Sequence, residues 1–403
     1  MMALGLAFAE LAGFGLVLAP FVIHRLNIWR WSKKPLEIPT DKVDLPIMVL
    51  LPVWNEAKVI ELKLANLAKQ EVKTTLLLID SASTDNTIEL ANKWLKENPT
   101  SFISSEIIVL DSREGKTAAV AKALDHLSEF EGLIAMTDAD ALFAKQALSR
   151  ARCWFANEMI GAVGATPNRS GNLSGETSHR ELFSALRYGE SCHDSTPFLE
   201  GSLLVWRSNL VKSTDLNIMS NADDAQIATA VRLAGFRAIQ DPELKFTDYM
   251  PSTRVGQRRQ KVRRAQGLIR HLLAKREKLF DTKLGRFAAI LRMQIWMMII
   301  SPLLLLIVML FVILRHFSVI MVGMGQDTEL FLHLVLSMFE GLCILSWLLM
   351  RSGVRVPLLS NLGTILVAME HLNAAMFQAL RGNSLYMWAQ HEDVRQALSS
   401  ANK

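Results

Sequence analysis

The chain has three cysteines in 403 residues, Cys153, Cys192 and Cys343, and no two are closely spaced. That excludes a disulfide framework and a Cys-based zinc site, and it fits a reduced, cytoplasmic setting. An excess of one charge is missing too: 44 Lys and Arg against 39 Asp and Glu leave a net charge of only +5. A global nucleic-acid-binding signature is therefore absent. There is no internal repeat and no low-complexity tract. Charged residues are scarce at 21%, while half of the residues are hydrophobic, so apolar segments must be placed before any fold is proposed.

Residues 1–26 form a run about long enough to cross a bilayer, with Glu10 as its one acidic residue. No basic residue precedes the run. The positive charges come at and after its end: Arg25, beside His24, closes the run, and Arg30, Lys33 and Lys34 lie in a basic linker that covers 27–44. A cleaved signal peptide would carry its charge on the other side. The positive-inside rule puts the N-terminus outside and the chain from residue 27 onward in the cytoplasm. Residues 287–314 and 329–350 read as two more spans. Residues 357–380 are interrupted by Glu370, His371 and Asn373, so they either span with a polar side turned inward or lie at the interface. The region 287–380 thus holds two or three membrane helices, and that number decides the side on which the tail, 381–403, ends.

Between the anchors lies a more polar block, 45–265. Four short apolar runs, 47–53, 75–80, 106–111 and 132–140, are each followed by a segment with helical spacing. Strand–helix units in series predict an α/β domain with a mostly parallel sheet and helices on both faces. Ser83, Thr84 or Asp85 can cap the second of these helices. In such sheets, ligands bind beyond the carboxyl ends of the strands. Asp80, Asp111, Asp138 and Asp140 lie at or just past those ends. Asp138 and Asp140, separated by one residue, repel each other unless a cation relieves them. Hard oxygen donors suit Mg²⁺ or Mn²⁺, and Mg²⁺ completes its shell with water and substrate phosphates. A nucleoside diphosphate is then the natural ligand.

The motifs from 46 to about 270 resemble, in order, those of a family 2 glycosyltransferase with the GT-A fold. "LPVWNEAKVI" is similar to the first nucleotide-binding strand and turn, with Pro52, Asn55 and Glu56 matching. "IDSASTDNT" resembles the segment whose leading aspartate, here Asp80, contacts the base, and "REGKTAAVAKAL" supplies Gly115 and Lys116. "TDAD" matches the DxD motif, which implies that Asp138 lies near the ribose and that Asp140 binds the metal. "EGSLLVWR" resembles the acceptor-side loop, here Gly201 and Ser202. "NADDAQIATAV" resembles the segment carrying the catalytic base. Asp223 stands there for the usual glutamate, and Asp224 matches the aspartate. "QKVRRAQG" resembles the Q-x-x-R-W box: Gln260, Arg263 and Gly267 match, and Arg264 replaces the tryptophan.

The resemblance implies an inverting transfer of sugar from a nucleotide-diphosphate sugar. A divalent cation at Asp140, aided by Lys116 or Arg263, would stabilise the departing diphosphate, and Asp224 would deprotonate the acceptor hydroxyl. From Arg254 to Arg292 there are 13 basic residues against Glu277 and Asp281, a local charge of 13 − 2 = +11. Aromatics are almost absent there, which argues against nucleic acid. Because spans follow directly, residues 266–286 are expected to lie along anionic headgroups. A catalytic domain held at the cytoplasmic membrane face points to a lipid or lipid-linked acceptor. In processive synthases of the family, the tryptophan ring packs on the acceptor sugar, and Arg264 offers no such surface. Single transfer is therefore favoured over a processive polysaccharide synthase. A scaffold protein that keeps the fold without turnover is the reading from another class, and the joint presence of Asp138, Asp140 and Asp224 opposes it.

Overall fold

The computed structural model describes residues 2–41, 43–168, 174–248, 253–323, 327–383 and 395. Of the tail, 384–394 and 396–403 lie outside these. The chain opens with α1 (Met2–Trp31). The four expected units follow: β1 (Ile47–Val53), α2 (Ile60–Ala68), β2 (Thr75–Asp80), α3 (Thr87–Glu97), β3 (Ser105–Val109), α4 (Lys116–His126) and β4 (Leu133–Thr137). Next come β5 (Leu142–Phe143), α5 (Ala147–Cys153), β6 (Ile160–Pro167), α6 (Ser174–His193), β7 (Leu203–Arg207), α7 (Asp223–Leu233) and β8 (Arg237–Thr247). The rest is helical: α8 (Arg254–Ala274), α9 (Arg286–Ile295), α10 (Ser301–Val322), α11 (Asp327–Ser352) and α12 (Leu359–Leu380).

Eight strands form one mixed sheet in the order β3-β2-β1-β4-β7-β6-β8-β5. The four strands read from the sequence are parallel to one another. β7 runs antiparallel between β4 and β6, β8 is parallel to β6, and β5 is antiparallel to β8. β1 is buried along its whole length because helices cover both faces of the sheet. Its alternate residues feed two cores. Val49 and Leu51 pack with Leu64 of α2, while Met48 and Leu50 pack with Val120 of α4 and Ile227 of α7. Each such side chain contributes roughly 1.5–3 kcal/mol on burial. β3 is the exposed edge.

Among the described residues, three stretches are long and apolar enough to cross a membrane: Ala3–Trp31, Arg286–Val322 and Glu329–Ser352. They carry a buried ionic cluster. Arg315 of α10, 1% exposed, binds Glu10 of α1 at 2.7 Å and pairs with Glu340 of α11. α1 is also fastened to the sheet domain. Glu190 of α6 receives His24 Nε2 at 2.9 Å, Thr196 Oγ1 at 2.8 Å and Gln294 Nε2 at 2.5 Å. α12 packs against α8 and α11. α8 runs unbroken through residue 265 and buries Val262, Ala265, Ile269 and Leu272 against protein.

Candidate active site

The site lies beyond the carboxyl ends of β1 and β4. After Thr137 the chain turns through Asp138 and Asp140. Beneath that turn is Lys63 of α2, fully buried, with Nζ donating to Thr137 Oγ1 at 2.7 Å and to the Ala141 carbonyl. Burial pulls the Lys63 ammonium down to about 7, against the pull of Asp138 and Asp140. Thr137 in turn donates to the Ser202 carbonyl at 2.7 Å, and Ser202 Oγ approaches Asp138 at 3.5 Å. The aspartate turn and the Gly201–Ser202 loop are thereby tied together. Burial first, then the neighbouring Asp138, raises the Asp140 carboxyl to about 6.

α4 begins at Lys116 because Gly115, at φ +93°, turns the backbone in a region that side-chain-bearing residues avoid. Lys116 Nζ bridges Asp138 at 2.7 Å and Asp223 at 3.0 Å. Burial works against its charge, but the aspartates outweigh it and hold Lys116 above its ordinary range. On the opposite wall, Asp223 and Asp224 open α7. Asp224 accepts the Gly201 N–H at 3.2 Å. Burial, reinforced by Asp223 and Glu200 and opposed by Arg264 and Lys116, pushes the Asp224 carboxyl up to about 7.

α8 closes the pocket with Gln260, Arg263 and Arg264. Its close approach to α7 depends on Gly267: a Cβ there would stand 2.3 Å from Asn221 Oδ1. Asn221 Nδ2 in turn donates to the Arg263 carbonyl at 3.0 Å. Arg264 reaches Glu200 at 3.5 Å, and Arg187 of α6 pairs with the same carboxylate.

One cavity of about 150 Å³ therefore brings together Glu56, Lys116, Asp138, Asp140, Gly201, Ser202, Asp223, Asp224, Gln260, Arg263 and Arg264. Pro52, Asn55 and Asp80 do not line it: Pro52 and Asp80 lie at the carboxyl ends of β1 and β2, and Asn55 in the turn that follows β1. Pro52 is in register with Ile79. Asn55 Oδ1 accepts the Thr84 N–H at 2.6 Å, and Asp80 accepts the Ser83 N–H at 2.8 Å. Asp111 is exposed beyond β3. Of the capping candidates, it is Asp85 whose carboxylate accepts the Thr87 N–H, at 3.0 Å. Sequence reasoning missed Arg187, Glu200, Asp248 and Arg395 among the lining residues. Glu200 opens the loop motif and was the one within reach. The others come from elements that carry no motif of their own.

A second, apolar cavity of about 160 Å³ adjoins the first, walled by Phe21 of α1, Leu186 of α6, Met297, and Ile365 and Met369 of α12. Arg187, Glu200, Asp248, Gln260, Arg264 and Leu268 line both cavities.

A family model described as glycosyl transferase family 2 matches residues 48–212. These residues form a glycosyl transferase family 2 domain with the GT-A fold, in a chain whose apolar helices place it at a membrane. It is similar to a mannosyltransferase from Pyrobaculum calidifontis, solved in complex with GDP-Man and Mn²⁺, at 26% identity and a TM-score of 0.72, over 94% of this chain and 99% of that one. It is also 26% identical, over 246 residues, to the poly-β-1,6-N-acetyl-D-glucosamine synthase of Staphylococcus aureus (strain COL). That match takes in 59% of this chain but only 57% of the synthase.

Proposed function

We propose that the chain is an inverting glycosyltransferase that moves one sugar from a nucleotide-diphosphate sugar to a lipid or lipid-linked acceptor, with the catalytic domain at the cytoplasmic face of a membrane it crosses more than once. The observation that carries this reading is the pair of adjoining cavities. One is polar and holds the DxD carboxylates and Asp224; the other is apolar and walled by helices of the membrane region.

The donor set fits Mg²⁺ or Mn²⁺. Asp138 and Asp140 supply hard oxygens, and burial, followed by the field of Asp138, raises the Asp140 carboxyl, an effect that a cation would relieve. Among the described residues no cluster of three or more His, Cys, Asp or Glu is poised to hold a metal. A cation at Asp140 and Asp138 would thus complete its shell with diphosphate and water. When bound, it supplies a Lewis acid for the leaving diphosphate. The chain's own residues do the rest. Lys116 is held charged beside Asp138 and Asp223, and Arg263 lines the same wall, so both can stabilise charge on the leaving group. Asp224, raised close to neutral pH, is suited to take the proton of an acceptor hydroxyl arriving from the apolar side.

GDP-Man is the first donor to test, because the similar mannosyltransferase is solved with it. Purified protein in detergent, given GDP-Man or other nucleotide sugars, Mn²⁺ and a lipid acceptor with a free hydroxyl, such as a ceramide, should release nucleoside diphosphate and yield a product one sugar heavier. Chelation should abolish the reaction. Asp140→Ala and Asp224→Asn variants that retain full activity would defeat the assignment. The likeness to the poly-N-acetylglucosamine synthase keeps a second reading, processive polymerisation, which would show as a ladder of products.

A further inference from the structure

Arg395 enters the polar pocket from far along the chain, past the end of α12. Its guanidinium grips Glu56 with two arms: Nε donates to Oε2 at 2.6 Å, and Nη2 pairs with Oε1. Their side chains are 7% and 2% exposed. Glu56 stands just after β1, in the turn that the sequence motifs assign to the nucleotide. Its backbone N–H is fixed on Thr87 Oγ1 at 2.7 Å, so the carboxylate that anchors Arg395 is itself held by α3. The fields of Asp140 and Asp138 reach the guanidinium as well. Arg395 therefore shares the pocket with Asp138 and Asp140 and is held there by the carboxylate of the β1 turn.

A buried arginine in this position has a definite chemical use. A guanidinium presents five N–H donors in a plane, and the Glu56 carboxylate engages two of its nitrogens. The planar fork matches phosphate oxygens better than an ammonium does. Charge balance points the same way. Glu56, Asp138, Asp140, Asp223, Asp224, Glu200 and Asp248 line one small cavity, and a diphosphate adds further negative charge to it. Lys116 is engaged by Asp138 and Asp223, and Arg187 and Arg264 by Glu200, while the Arg395 guanidinium acts electrostatically on Asp140.

We propose that Arg395 is a donor-binding residue: held by Glu56, it contacts the diphosphate of the nucleotide sugar next to Asp140. The proposal rests on the reading of this pocket as a nucleotide-sugar site.

The test is titration calorimetry on the full chain in detergent with Mn²⁺, using GDP and UDP and the matching monophosphates, GMP and UMP. Arg395→Ala should weaken binding of the preferred diphosphate about tenfold or more, and that of its monophosphate by no more than about threefold. Arg395→Lys should recover only part of the loss, because it restores the charge without the fork. Melting temperatures of both variants without nucleotide report on folding. Equal losses for diphosphate and monophosphate, or no loss, would leave Arg395 as a support for Glu56 and overturn the proposal. Tighter diphosphate binding by Arg395→Ala would overturn it the other way, with Arg395 as an obstacle to the donor. Wild-type protein that binds no nucleotide at all would instead sink the reading of the pocket, and the proposal with it.

Discussion

Asp224 works under two opposing influences. Burial and Asp223 favour its protonated form, while Arg264 and Lys116 favour the carboxylate. The balance near 7 places the proton change where a general base is useful. Its sign is fixed: a base acts when deprotonated, so kcat/KM should climb as pH rises through about 7 and then level off. Asp224→Asn should abolish that limb and lower kcat by about 10²–10⁴-fold. A pH–rate profile of both proteins checks this. Lys63 is the complementary case, since it touches no substrate. Removing it with Lys63→Met leaves the Ala141 carbonyl and Thr137 hydroxyl without their buried donor, which should cost about 1–3 kcal/mol of stability. It should also loosen the turn that aims Asp138 and Asp140. Thermal denaturation and a Mn²⁺ titration would report the two effects separately. Lys63 was illegible in the sequence, because a lysine in a helix normally snorkels to solvent. Only the return of the chain at β4 reveals what it supports.

At the scale of elements, the contact of α7 with α8 positions the two chemical halves of the pocket. Asn221 precedes α7, and Gly267 lies in α8 where the two meet. Gly267→Ala should push Asn221 aside and displace the Asp223–Asp224 end of α7. We expect a stability loss of about 1–3 kcal/mol by denaturant unfolding, with a fall in kcat that exceeds any change in donor affinity. The glycine was visible in the sequence as part of a motif; its reason, the absence of room for a Cβ beside Asn221, was not. A similar division holds for the strands. β1, β2 and β4 were legible as continuous apolar runs between helical patterns. β6 was not singled out, because Ile160–Pro167 is built largely of small residues. β7 was noticed as a loop motif and proves to run from Leu203 to Arg207 as a central antiparallel strand. Periodicity finds strands that bury large side chains. It says little about the order in which they pair.

At the scale of the whole molecule, the apolar cavity draws on regions far apart in sequence, among them α1, α6, α8 and α12. No single segment announces it. Ala368 lines it, and Ala368→Phe should fill part of its volume. The expected outcome is a raised KM for the lipid acceptor, with the donor KM and the binding of nucleoside diphosphate unchanged. A matched loss of donor binding would show that the substitution had disturbed the fold rather than the acceptor route.

The fastening of α1 to the catalytic domain has a geometric outcome. Glu10 secures this helix within the apolar bundle through Arg315, and His24 secures its other end to α6 through Glu190. The same α6 presents Arg187 to both cavities. A helix pinned at two heights leaves little freedom for the sheet domain to bob or tilt. Sugar transfer would then occur at a set depth below the headgroups, and the enzyme would act as a ruler, selecting acceptors by the number of bonds between their greasy anchor and their reacting oxygen.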